Sequence, residues 1–73
     1  MMTDMQYRKV QRLMINKGAS INDSFTGEAG NEAIKTTVTL GDIVLTWLRK
    51  PQGVTVGGEK VSAITAIKII KAR

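Results

Sequence analysis

Between Gly18 and Ala33 the apolar pattern of this chain changes its period, and that change restricts the folds open to it. Before it, Tyr7, Val10, Leu13 and Met14 recur at helical spacing, with Arg8, Lys9, Gln11 and Arg12 largely on the other side. Thr3 followed three residues later by Gln6 has the form of a capping box, and Gly18 suits a C-terminal cap, so the spacing predicts a helix over about 4–17. From Ala33 onward the period is two. Ile34, Val38 and Leu40 share one face with Thr36, while Lys35, Thr37 and Thr39 share the other, as in a half-buried strand. A helix this short is marginal in water by itself, so its apolar stripe must be buried, most economically on a sheet.

The remaining strands follow from turn chemistry. A short strand is expected over about 20–25, then 33–40, then 43–49, whose apolar residues on both faces place it centrally or beneath the helix. Trp47, the single tryptophan, reads as a core anchor within it, with an exposed contact residue as the alternative. Arg49-Lys50-Pro51-Gln52-Gly53 reads as a turn, because proline cannot continue a central ladder. Val54–Val56 and a last strand over about 59–70 then form a hairpin about Gly57-Gly58. Val61, Ile64 and Ile67 also fit a helical stripe, but the many β-branched residues favour a strand over 61–70. The expectation is one α+β domain over residues 1–73, with an N-terminal helix packed on a small, mostly antiparallel sheet or open β-barrel.

A 73-residue chain has a core that supplies only a few kcal/mol, and with neither cysteine nor histidine it has no disulfide and no usual zinc ligand to reinforce it. Oligomerisation or docking on a larger body is the remaining source of help. The same absences remove the commonest general base and the most nucleophilic side chain, so no enzymatic activity and no cofactor is expected. No apolar run approaches the roughly 18 residues that cross a bilayer, and the first residues lack the pattern of a signal peptide, so a cytoplasmic location and no membrane partner are expected.

Charge is segregated. Residues 1–20 carry Arg8, Lys9, Arg12 and Lys17 against Asp4, and residues 49–73 carry Arg49, Lys50, Lys60, Lys68, Lys71 and Arg73 against Glu59. The middle holds Asp23, Glu28, Glu32 and Asp42 against Lys35. Basic ends and an acidic middle suit either phosphate contacts or a head-to-tail contact between copies. The candidate phosphate or partner contacts are therefore Arg8, Lys9, Arg12, Lys17, Arg49, Lys50, Lys68, Lys71 and Arg73, with a solvated face as the plainer reading. The stretch Thr26–Glu32 is loop chemistry, either an ordinary hairpin connection or a mobile contact loop presenting Gly27, Glu28, Gly30 and Glu32.

Other constellations carry little. Gly27-Glu28-Ala29-Gly30 has the GXXG form of a KH-domain clamp, but with an acid where a phosphate clamp needs positive charge. No phosphate-binding loop is present, and the four central carboxylates fit no calcium-loop spacing. Tyr7, Phe25 and Trp47 are too scattered for a base-stacking platform, which leaves backbone binding by charge as the nucleic-acid reading.

Two stretches resemble a family. Arg12-Leu13-Met14-Ile15-Asn16-Lys17-Gly18-Ala19-Ser20-Ile21 is similar to the opening of small head-tail connector or adaptor proteins of tailed bacteriophages, where a short helix ends in a Lys-Gly segment and enters a strand. Val54 to Ile64 is similar to their hairpin, with a glycine turn between β-branched strands. The resemblance covers about 21 residues; the chain is shorter than typical members and lacks their terminal Pro-Ala segment. It implies a small β-barrel-like subunit in a ring around the DNA passage of a virion, without catalysis. The leading expectation is thus a structural or assembly protein that forms homo-oligomers and meets other assembly proteins. A basic module binding nucleic acid non-specifically, and a small inhibitor of a host enzyme acting through the loop, are the alternatives.

Overall fold

The structure, a computed structural model describing residues 2–73, runs α1 (Asp4–Asn16), β1 (Ser20–Thr26), β2 (Ala33–Leu40), β3 (Ile43–Leu48), β4 (Lys50–Val56), β5 (Glu59–Val61) and α2 (Ala63–Ala72). Helix α1 starts where the sequence predicts. The Gln6 amide donates to the Thr3 hydroxyl at 3.1 Å, and the Thr3 amide donates to the Gln6 side chain at 2.9 Å. Its end is a Schellman closure, with Gly18 at φ +94 and the Gly18 and Ala19 amides donating to the Ile15 and Met14 carbonyls.

The five strands form one antiparallel sheet in the order β1-β2-β3-β4-β5, so each pairs with its neighbour in sequence. The sheet is open, with β1 and β5 at its two edges, and it does not close into the barrel that the family resemblance implies. In an antiparallel pair, directly opposite residues project to the same side. One face therefore carries the rows Ile21-Val38-Leu45-Val54-Val61 and Leu40-Ile43-Val56. Both helices lie against this face, and Tyr7, Val10 and Met14 of α1 and Ala63, Ala66 and Ile70 of α2 complete a core around Val38, Ile43, Leu45 and Val54. The anchor expected of Trp47 is partial. Its ring is half-buried and meets Tyr7 edge-to-face, with centroids 5.0 Å apart and planes at 68°.

Two expectations are corrected. Residues 61–70 do not continue a strand: β5 stops at Val61 and the chain becomes helical from Ala63. Ser62 is the reason the reading fails, because its hydroxyl accepts the Thr65 amide at 3.2 Å and caps a helix whose Ala63, Ala66 and Ile70 stripe is buried. That burial outweighs the β preference of the isoleucines, and Ile64, part of the sequence stripe, stays outside the core. Likewise, residues 49–53 are not all turn. Strand β4 begins at Lys50 and includes Pro51, opposite Trp47, so the turn contracts to Arg49 at φ +64. Strand β5 covers only Val54–Val56 of β4, which leaves Lys50–Gly53 as sheet edge, where proline is tolerated. A register shift after Thr46 leaves Gln52 without an opposite residue, and its side-chain amide donates to the Leu48 and Lys50 carbonyls at 2.9 and 3.2 Å.

Burial raises the Tyr7 hydroxyl above its usual pKa of 10.0, and the negative charge of Asp23, which projects to the same side of the sheet, adds to the effect. Folding therefore disfavours the phenolate, so this contribution to stability is full below the unfolded pKa and is lost as pH rises through the folded one. Tyr7 is the only tyrosine. A titration followed by tyrosinate absorbance is expected to show one midpoint above 10, moving part of the way back in Asp23→Asn. A midpoint at the free-tyrosine value would show the ring to be solvated.

Candidate interaction surfaces

Strand β1 is exposed along its whole length, and the β1–β2 hairpin reaches past the helices in a molecule of 42 × 23 × 21 Å. Its helix-side face is consequently uncovered. Phe25, opposite Ile34, is 81% exposed, with Ile34 at 52% and Ile21 at 50%. All three stand on the side of the sheet that is core elsewhere. In sequence β1 reads as a short strand and gives no notice of this patch beyond the apolar Ile21 and Phe25 on one face, with no second helix before β2 to cover them. Asp23 lies between them, an inward-pointing charge of the kind that discourages indiscriminate edge pairing.

The hairpin tip is fixed. Arg49 donates from one guanidinium nitrogen to the Asn31 carbonyl at 2.9 Å and to its side-chain oxygen at 2.8 Å, and the Asn31 amide donates to the Glu28 carbonyl at 2.8 Å. Gly27 and Gly30 take φ +101 and +84 within this turn. Residues 27–32 connect β1 and β2 as a hairpin, with Glu28 and Glu32 displayed to solvent at its end. Arg49, read as a phosphate or partner contact, is the residue that ties this tip to the β3–β4 turn.

The other cations divide by element. Arg8 and Arg12 lie on the outer face of α1 with Ile15, lining a shallow depression, and Met5 on the same helix is 82% exposed. Lys9 and Lys17 are exposed on that helix and at its C-terminal cap, and Lys68 and Lys71 are exposed on α2. Arg73 is committed internally. Its guanidinium lies 2.7 Å from the Asp42 carboxylate in the β2–β3 turn, and the hydrogen bond, followed by the opposite charge, holds that carboxyl below the ordinary value. With both partners near half-exposed, the pair is a modest contributor. Lys50 and Lys60 reach the rim of an open cleft of about 510 Å³ at the uncovered edge of β4, where Pro51 meets Gln6 and Ser62 beside the starts of α1 and α2.

Nothing assembles into a metal site: among the described residues no three carboxylates converge, and Asp23, Glu28 and Glu32 stay apart from Asp42. Nor is any described helix long and apolar enough to cross a membrane. What the surface does present is an acidic and apolar hairpin, Asp23, Phe25, Glu28, Glu32 and Ile34, and a basic and apolar helix face, Met5, Arg8, Arg12 and Ile15. Comparison with protein-family models, curated proteins and solved structures returns no match to this chain.

Proposed function

We propose that this chain is a non-enzymatic assembly subunit that joins head to tail with copies of itself, the β1–β2 hairpin of one subunit seating on the outer face of α1 of the next. The observation that carries the reading is the uncovered hairpin face, where Phe25, Ile34 and Ile21 form an apolar patch beside a fully exposed edge strand. A second copy is the occupant because the molecule already carries a surface of matching composition. Asp23, Glu28 and Glu32 rim the apolar hairpin, whereas Arg8 and Arg12 flank the exposed Met5 and Ile15. Two different patches on one chain make a heterologous contact, which closes into a ring when the rotation per subunit permits. The similarity of Arg12–Ile21 and Val54–Ile64 to phage head-tail connector proteins supports a virion as the setting of that ring.

The two-patch geometry gives a direct test by light scattering after size exclusion. The wild-type chain is expected to run as a discrete oligomer that dissociates as salt rises. Phe25→Lys, which spoils the hairpin, and Arg8→Glu with Arg12→Glu, which spoils the helix face, are each expected to be monomeric. Mixed in equal amounts they retain one good hairpin and one good helix face, so they are expected to form a heterodimer and nothing larger. A wild-type monomer at high concentration would sink the proposal, and two variants that remain monomeric when mixed would exclude the head-to-tail arrangement.

A further inference from the structure

The face of the sheet turned away from the helices is the least expected surface of the molecule. Its rows, read from the strand register, are Lys35-Leu48-Lys50, Asn22-Thr37-Thr46-Gly53 and Ser20-Thr39-Val44-Thr55-Lys60. Every charge in these rows is positive. The acids lie elsewhere: Asp23 and Glu59 alternate onto the helix side, Glu28 and Glu32 sit at the hairpin tip, Asp42 is paired with Arg73, and Asp4 opens α1. Between the lysines the surface is largely hydroxyl, and it has a floor. Gly53 contributes no side chain, so the Lys60 stem folds back over it, its Cε 3.0 Å from where a Cβ would stand. Lys35 and Lys60 then border a groove of about 280 Å³ lined also by Thr46, Thr55 and Leu48.

We infer that this face binds the sugar-phosphate backbone of duplex nucleic acid. Three features select that partner. Lys35 on β2 and Lys60 on β5 are offset by three strand spacings across the sheet, roughly 14 Å, and by four residues along it, since Lys60 is in register with Thr39, so the cations address an extended polyanion better than one small anion. Lysine ammoniums and threonine hydroxyls are donors suited to phosphate oxygens, and an acid-free face adds no repulsion. No aromatic ring stands in these rows, so unstacked bases gain nothing from the surface and contacts stay on the backbone. Of its three lysines only Lys50 belongs to the cations singled out in sequence; Lys35 and Lys60 do not, and Arg8 and Arg12 lie on the opposite side of the molecule. It is also independent of the assembly contact, which uses the helix side.

The test is performed in the Phe25→Lys background, so that self-association adds no avidity, with a short mixed-sequence DNA duplex titrated over a range of salt. Three phosphate contacts give a log–log salt slope of about −2.7. Lys35→Gln with Lys60→Gln is expected to reduce the magnitude of the slope by about two, while Arg8→Gln with Arg12→Gln changes it by less than one. Both pairs are exposed, and thermal unfolding checks that each variant folds. No binding at low salt would overturn the inference. So would a larger loss from the helix pair than from the sheet pair, or polyglutamate binding as tightly as the duplex, which would make the face a site for an acidic protein.

Discussion

Replacing Leu45 by alanine is expected to remove about 3 kcal/mol of stability, the usual scale for emptying a fully buried leucine site. The whole domain, at 73 residues, is worth about 4–11 kcal/mol. Leu45 is fully buried, occupies the middle strand, and stands between Val38 and Val54 in register beneath the helices. The void cannot easily collapse, because its walls are strands held by ladders on both sides. Chemical denaturation should show the midpoint falling with an unchanged slope. A loss under 1 kcal/mol would mean that the helices shift to refill the space.

The second large effect is expected at the hairpin tip. In Gly27→Ala the new Cβ would stand 2.4 Å from the Asn31 carbonyl oxygen, with φ at +101. That oxygen is backbone and accepts from Arg49, so it cannot swing aside without breaking the clamp. Steric overlap adds to the cost of a left-handed alanine, and a loss of about 2–3 kcal/mol is expected. Gly30→Ala supplies the comparison. It shares the positive φ, at +84, but meets nothing within 4 Å, so about 1 kcal/mol is expected there. Equal losses at the two positions would show that conformation alone, and not the close approach to Asn31, sets the tip.

Local chemistry made much of this fold readable. Thr3 and Gln6 cap α1 as their spacing says, Gly18 closes it, and the alternation from Ile34 to Leu40 marks β2 with its two faces. The failures lie where a single polar or cyclic residue decides. Ser62 turns a β-branched segment into a helix, and Pro51 lies in a strand because β5 is too short to reach it. The surfaces were harder for a different reason. That Lys35 and Lys60 border one groove depends on the register of four strands, and that Phe25 is bare depends on how far α1 extends over the sheet. Neither quantity is local in sequence. By composition Arg49 and Arg73 read as phosphate or partner contacts, yet each has a partner within the chain, Asn31 and Asp42, 18 and 31 positions away.

The strictly sequential strand order has a kinetic consequence. Each strand finds its partner across a short connection, and hairpins of this kind close in about 1–10 μs. The contacts that span the chain are those of α1 with α2 and β4, so the largest loop-closure entropy falls on the docking of α1. Tyr7 on α1 and Trp47 on β3 meet only when that docking is complete, and each is the sole residue of its type. The change in Trp47 fluorescence is therefore expected to lag the far-ultraviolet signal of the sheet. The order in which the two signals appear can be read in the unmodified chain.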